Sequence, residues 1–223
     1  MKRYYKVAVL IDGAFFLKRY HFLFPGGETH TAKEVAEQLY KMALAHVGKN
    51  DLYRIFYYDC LPLQKKFHSP VTGKVMDFAK DPRSVFRIEL FEELKRKRKV
   101  ALRLGHLKEN GNWLIAPRLT KPLLSGQLEI SNIDAQEVRL EIRQKGVDMK
   151  IGVDIATLAF KKLVDRVVLV AGDADFVPAS KLARMEGIDF ILDPLWNPID
   201  DRLLEHVDGI RSVVEKPVRL KAA

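Results

Sequence analysis

The sequence contains only one cysteine, Cys60, among its 223 residues. A single thiol excludes a disulfide within the chain and a zinc site built on cysteines, and it is typical of a protein from a reducing compartment. Long apolar runs are also missing: no stretch approaches the roughly 18 apolar residues of a membrane-spanning helix, and residues 7–11 are too few for the core of a signal peptide. The sequence therefore predicts a soluble cytoplasmic protein, with no membrane partner.

Several common catalytic signatures are absent as well. The chain has no P-loop, no G-x-G-x-x-G fingerprint and no nucleophilic-serine motif, and its six histidines are not near the acidic motifs described below. These absences leave carboxylates as the candidate chemical groups.

Basic residues outnumber acidic ones, with 38 Lys and Arg against 29 Asp and Glu and a formal charge of +9. Such a surface favours a polyanionic partner, although a merely basic protein is the alternative. The 48% of hydrophobic residues can form a buried core. We predict one domain over residues 1–215, with an insertion at about 60–142 and a basic tail at 216–223.

The most informative stretch runs over residues 167–178. Its aliphatic first half predicts a buried strand, which delivers Asp173 and Asp175 to the carboxyl edge of a sheet. Two carboxylates about 4 Å apart repel by roughly 4 kcal/mol at an effective dielectric near 20. A divalent cation would relieve this repulsion. The alternative is that Asp173 caps a helix starting near Pro178 while Asp175 points into water.

Further acids occur at predicted element ends. A short apolar run at residues 7–11 predicts a first strand that ends in Asp12, and Asp148 and Asp154 lie near the start of a helix predicted over residues 149–162. Six helical steps of about 100° place Asp148 and Asp154 on different faces. We therefore expect Asp148 to precede the helix and Asp154 to face the site, with a solvated Asp154 as the alternative. A carboxylate cluster suits Mg²⁺ or Mn²⁺ and the hydrolysis of phosphodiesters.

The element order predicts an α/β fold. Strands at residues 7–11 and 52–59 flank a helix that opens with a capping box at Thr31 and Glu34, and β-α-β order implies a parallel sheet. Within the insertion we predict a helix around residues 86–94 and a β-hairpin turning at residues 109–111, where Asn-Gly separates two strand-like runs.

Three motifs carry a family resemblance. Residues 9–14 (VLIDGA), 145–154 (KGVDMKIGVD) and 171–178 (AGDADFVP) resemble those of the NYN-domain family, a PIN-like group of predicted ribonucleases. The resemblance implies a Rossmann-like three-layer fold with a mainly parallel central sheet. It also implies catalysis with Mg²⁺ or Mn²⁺ on Asp12, Asp148, Asp173 and Asp175, with Asp154 as a further acid. The family often has Asn soon after the first Asp, whereas this chain has Ala-Phe-Phe at residues 14–16.

Candidate RNA contacts are both basic and aromatic. The chosen residues are Arg143 and Lys145, which lead into Asp148; Lys95, Arg96 and Lys97, from a run of five positive charges; and Trp196, which could stack on a base. A solvated helix end is the alternative for the basic run, and core packing is the alternative for Trp196.

The sequence thus predicts a metal-dependent endoribonuclease acting on single-stranded or structured RNA, and a homodimer is left open. Two other functions compete with this one. The first is an RNA-binding regulator that lacks turnover. The second is a glycosyl transferase that holds Mn²⁺ and a nucleotide sugar on an Asp-x-Asp motif, against which the acid ending the first strand and the basic charge argue.

Overall fold

The structure, a computed structural model, describes residues 4–217. The strands of this part of the chain are β1 Lys6–Asp12, β2 Asp51–Cys60, β3 Lys66–His68, β4 Val75–Asp77, β5 Val100–Ile115, β6 Val138–Lys145, β7 Arg166–Val170, β8 Asp189–Asp193 and β9 Gly209–Ile210. Its α-helices are α1 Gly13–Leu23, α2 Ala32–Val47, α3 Pro82–Lys95, α4 Thr120–Leu124, α5 Val147–Phe160, α6 Val177–Met185 and α7 Asp201–Leu204. Of the basic tail predicted at residues 216–223, residues 218–223 lie outside the described residues.

Seven of these strands form one sheet in the order β6-β5-β2-β1-β7-β8-β9. β1 is central and pairs in parallel with β2 on one side and with β7 on the other. The remaining pairs are also parallel, except that the edge strand β6 runs antiparallel to β5. The predicted mainly parallel sheet is therefore confirmed. The strands β2, β5 and β6 lie on one side of β1 and the strands β7, β8 and β9 lie on the other, so the strand order reverses between β1 and β7.

Helices cover both faces of the sheet, and β1 shows why. Its side chains are buried on both faces: Val7, Val9 and Ile11 belong to one apolar cluster, whereas Ala8 and Leu10 belong to a second. The first cluster includes residues of α1, α2 and α3, and the second includes residues of α5 and α6. A strand buried on both faces has an unbroken apolar run in its sequence, which is the pattern that predicted it. The fold has three layers, as the sequence predicts.

Local signals placed several helices correctly. The capping box before α2 is present, since the side chain of Glu34 accepts the backbone N–H of Thr31 at 2.8 Å and Thr31 Oγ1 accepts the N–H of Glu34 at 3.3 Å. None of the helices in the described part of the chain is long and apolar enough to cross a membrane.

The predicted hairpin at residues 109–111 is wrong. β5 continues through these residues as one long strand that pairs with β6, and the pairing register shifts between Glu109 and Trp113. Gly111, with a φ of 74°, lies in this irregularity. A left-handed Gly serves a β-bulge as well as a tight turn, and the partner strand was too distant in sequence to be recognised. A two-stranded antiparallel hairpin does occur earlier, between β3 and β4.

Candidate active site

The acidic motifs meet at the sheet edge where β1 and β7 end. Because β1 and β7 are parallel neighbours, Asp12 at the end of β1 lies beside the loop that follows β7 and carries Asp173 and Asp175. These three residues line one cavity of about 470 Å³. The structure thus places Asp12 and Asp173 at the same edge, as the sequence predicts.

Asp12 is partly buried and caps α1, because its Oδ1 accepts a hydrogen bond from the backbone N–H of Phe15 at 3.1 Å. The pKa of Asp12 is raised from 3.8 to about 6, mainly because burial disfavours the charged carboxylate. The negative charges of Asp148 and Asp59 act in the same direction, while the N–H groups of Phe15 and Ala14 oppose the rise. The Asp12 carboxyl group therefore titrates near pH 6 and not near pH 4.

Asp148 lies in the first turn of α5, after Gly146 turns the chain with a φ of 81°. Burial raises the pKa of Asp148, and the charges of Asp173 and Asp175 raise it further. The Asp148 carboxylate is thus within electrostatic range of Asp173 and Asp175 and of Asp12. The expectation that Asp148 precedes the helix is wrong, since α5 already begins at Val147. We call Asp12, Asp148, Asp173 and Asp175 the acid cluster.

Asp173 and Asp175 are both exposed. Asp173 Oδ1 accepts the backbone N–H of Asp175 at 3.0 Å, so Asp173 caps the short 3-10 helix Ala174–Phe176 and not α6. Among the described residues, no hydrogen bond engages Asp173 Oδ2. Capping therefore explains one oxygen of Asp173 and leaves the other available for a ligand.

Three basic side chains share the cavity wall with Asp12, Asp173 and Asp175. Lys18, Arg19 and Arg202 all line the cavity. Arg19 donates from Nε and Nη2 to the carbonyl oxygen of Leu195 at 3.1 and 3.0 Å, and Arg202 pairs with Asp200 at 2.7 Å. These cations favour the approach of a phosphate chain to an otherwise acidic pocket.

Sequence reasoning missed the α1 contribution to this wall. The helix presents residues 15, 18, 19 and 22 to the cavity, which is the spacing of one helical face. That periodicity, starting three residues after a strand-terminal Asp, is a signal that could have identified the wall from sequence.

Phe15 is one of the three residues, 14–16, that follow Asp12 where the family often has Asn. Its ring packs against Gly172, and a Cβ at position 172 would collide with the ring. The glycine after β7 is therefore needed for close packing between the two motifs, and this part of the cavity wall is apolar.

Asp59 is a further acid close to Asp12, fully buried at the end of β2. It accepts hydrogen bonds from the Arg87 guanidinium, from the Tyr57 hydroxyl at 3.3 Å and from the N–H of Cys60 at 2.7 Å. Burial raises the pKa of Asp59, and Arg87 opposes this rise. Like Asp12, Asp59 follows the apolar residues of a strand, at the strand's end. Its contacts, however, are those of a buried structural ion pair with Arg87.

Asp154 contacts residues outside the acid cluster and lines another cavity. Its Oδ2 accepts hydrogen bonds from the Tyr58 hydroxyl at 2.8 Å and from Arg103 Nε at 2.9 Å. It lines a different cavity, of about 570 Å³, together with Arg103 and the predicted RNA contact Lys145. Burial raises the pKa of the Tyr58 hydroxyl, and the charge of Asp154 acts in the same direction.

The other predicted RNA contacts mostly have acidic partners. Lys95 pairs with Glu92, Arg96 with Glu93, Lys97 with Glu37 and Arg143 with Glu141, whereas Lys145 is exposed. Trp196 is 40% exposed, donates from Nε1 to the carbonyl of Val214 at 2.8 Å, and has the Lys216 ammonium 5.6 Å from its ring centroid. The basic run therefore presents less free charge than its composition suggests.

The acid cluster has the right donor atoms for Mg²⁺ or Mn²⁺, since it offers carboxylate oxygens only. A bound cation would also offset the repulsion that helps to raise the pKa of Asp148. The side chains are not yet gathered around one point: within residues 4–217, no three His, Cys, Asp or Glu side chains are arranged to hold a metal ion.

The family-model comparison agrees with two of the three motifs. Residues 88–195 match the family model of the NYN domain, a range that contains Asp148, Asp173 and Asp175 but not Asp12. No curated protein matches the chain. A crystal structure of a protein of unknown function from Vibrio parahaemolyticus is similar to this chain with 13% identity and a TM-score of 0.47, over 96% of each chain.

Proposed function

We propose that this chain, which belongs to the NYN-domain family by its match over residues 88–195, is a metal-dependent endoribonuclease. It hydrolyses RNA phosphodiester bonds at the acid cluster with Mg²⁺ or Mn²⁺. The observation that carries the proposal is the arrangement of four acids from three separate motifs at one sheet edge, beside a cavity walled by cations. A cytoplasmic location fits the single cysteine.

The acids and the cations of the site have separate roles in this reaction. Hydrolysis adds the oxygen of a water molecule to phosphorus and breaks one bond from phosphorus to a ribose oxygen, leaving a phosphate monoester and a hydroxyl group. A divalent ion, when bound, supplies activation of the water and stabilisation of the charge on the phosphate. Asp173 Oδ2 and the exposed carboxylate of Asp175 would be available as its ligands, while Lys18 and Arg19 would attract the RNA backbone.

Asp12 contributes differently because it is partly buried. A pKa of about 6 allows its carboxyl group to hold a proton near neutral pH in the metal-free protein. Its hydrogen bond from the Phe15 N–H fixes one oxygen and aims the carboxyl group at the cavity. The Phe15 ring makes one part of the cavity wall apolar.

A second candidate function is an RNA-binding regulatory module without turnover. One observation favours it: residues 14–16, where the family often has Asn, contribute the apolar Phe15 ring to the cavity wall. In this case the cations at the cavity would bind RNA without cleavage.

The decisive experiment compares wild type with Asp173→Asn on end-labelled RNA, with Mn²⁺ or with EDTA. The substitution keeps the side-chain shape and removes one negative charge. We expect Mn²⁺-dependent cleavage by wild type, loss of cleavage in the variant, and equal or tighter RNA binding.

Asp77→Asn is a matched control. Asp77 also caps a three-residue 3-10 helix through an N–H two residues ahead, at 3.1 Å, but it does not line the acidic cavity. Asp77→Asn should cleave like wild type. Equal cleavage by wild type and Asp173→Asn would assign the activity to another site or to a contaminant, and binding without cleavage would favour the regulatory module.

A further inference from the structure

Phe22 lies near the end of α1 at the mouth of the acidic cavity. It lines that cavity and yet is 64% exposed. It follows Asp12 by ten residues, which corresponds to roughly 15 Å along the helix axis at about 1.5 Å per residue. Phosphates of one strand follow each other every 3.4 Å or so in a duplex and are farther apart in an extended single strand, so the distance corresponds to at most about four nucleotides.

Arg19 holds the Phe22 ring from one side. Its guanidinium carbon lies 5.5 Å from the ring centroid, and its two hydrogen bonds to the carbonyl of Leu195 fix it in place. A cation over an aromatic ring is attracted to the π face, so the pair restricts the ring before any ligand binds. A restricted aromatic side chain loses little conformational entropy when a second planar group stacks on it.

The surroundings of the ring select the kind of ligand. The exposed Lys18 and the Arg19 guanidinium line the same cavity and favour phosphate groups, whereas Arg202 is paired with Asp200. Aromatic side chains next to a basic groove are the usual means of binding single-stranded nucleic acid, because every base has a π face. A base inside a duplex is already stacked on both sides and cannot use such a platform.

We propose that Phe22 and Arg19 form a nucleobase-binding subsite at the mouth of the cavity. The subsite takes an unpaired base of single-stranded RNA, a few nucleotides from the phosphate at the acid cluster. This inference rests on the proposed function in that it assumes RNA at the acid cluster, and it narrows the substrate class to unpaired RNA.

Phe160 provides a matched control, because it is a helical phenylalanine of similar exposure, 60%. It is the last residue of α5, twelve residues after Asp148, which is roughly 18 Å along that helix. It does not line the acidic cavity.

The test measures binding without cleavage. A fluorescein-labelled, unstructured 12-nucleotide RNA is titrated in EDTA with three proteins. The first is the Asp173→Asn variant, and the other two carry Phe22→Ala or Phe160→Ala in addition to Asp173→Asn. We expect Phe22→Ala to weaken binding by roughly 5- to 150-fold, the usual range for loss of one stacked base. Phe160→Ala should bind within about twofold of its parent, and a duplex of the same sequence should show no dependence on Phe22.

A second measurement uses Phe22→Trp, which keeps the stacking surface and adds an indole. Its emission should be quenched by the single-stranded RNA, beyond any quenching seen in Phe160→Trp, which carries the same two native tryptophans. Circular dichroism of each variant checks folding.

The outcomes separate this inference from the proposed function. Loss of binding in Phe22→Ala with quenching in Phe22→Trp supports the subsite, even if wild type never cleaves RNA. Affinity equal to that of Phe160→Ala together with no extra quenching overturns the subsite, even if wild type does cleave.

Discussion

The buried carboxyl group of Asp12 carries a free-energy cost that one substitution can remove. Asp12→Asn keeps the helix cap, because Asn caps helices about as well as Asp, and it removes the charge that burial opposes. A rise of the Asp12 pKa from 3.8 to about 6 corresponds to about 3 kcal/mol at pH values above both, since each pKa unit is about 1.36 kcal/mol. This value is the upper limit of the expected stabilisation.

The sign of the pH dependence follows from the raised pKa. Below about pH 4 Asp12 is protonated in the folded and the unfolded chain, and no cost arises. Between about pH 4 and about pH 6 the folded chain keeps a proton that the unfolded chain has released, so the stability of wild type falls as pH rises. Above about pH 6 the full cost is present.

Thermal unfolding in EDTA measures this cost. Near pH 8 we expect Asp12→Asn to have a higher Tm than wild type, by at most roughly 6–12 °C for about 3 kcal/mol in a chain of this size. Near pH 4 the two Tm values should converge. Added Mn²⁺ should stabilise wild type more than the variant, because the variant has lost one of the negative charges of the acid cluster that attract the cation.

Asp200→Asn is the control for this prediction. Asp200 also caps a helix and lines the same cavity, but hydrogen bonds from Arg202 lower the pKa of Asp200 to about 2. Its contribution to stability is present at neutral pH and is lost only as pH falls from about 4 to about 2, so its removal should bring no gain. The reasoning is refuted if Asp12→Asn is no more stable than wild type near pH 8, or if the difference between them is the same near pH 4.

Three further predictions concern residues outside the acid cluster. Arg87→Met leaves Asp59 buried without its cation and should lower the free energy of unfolding by about 3 kcal/mol in urea titration. A double variant that also carries Asp59→Asn should recover part of this loss. An unchanged midpoint in Arg87→Met would contradict the ion pair. Asp154→Asn weakens the hydrogen bond from the Tyr58 hydroxyl and should cost about 1–2 kcal/mol of stability while keeping most cleavage, so a loss of cleavage as complete as in the Asp173 variant would return Asp154 to the catalytic group. Lys145→Glu should weaken RNA binding and make the slope of log affinity against log salt shallower by about 0.7 for each phosphate that is no longer neutralised, and an identical slope would remove Lys145 from the interface.

The sequence by itself determined the elements that carry the acid cluster. The apolar runs of β1 and β7 are unbroken because both faces of a central strand are buried, and each run ends in acids at the edge where parallel strands place their sites. The capping box at Thr31 and Glu34 is equally local, since its two hydrogen bonds join residues three apart. These signals depend on neighbours in the chain and can be recognised without the fold.

The tertiary structure alone decided which side chains meet. Asp154 is bound by Arg103, 51 residues away, and by Tyr58, 96 residues away, which draws it into a group of its own. Arg19 is fixed by the carbonyl of Leu195, 176 residues away, and this contact holds the guanidinium over the Phe22 ring, on which the proposed nucleobase subsite rests. The pairing of β5 with β6 likewise overrode the local turn signal at Asn-Gly. Local patterns determine where an element ends, but a contact between distant segments depends on how the layers pack, and that packing is a property of the whole chain.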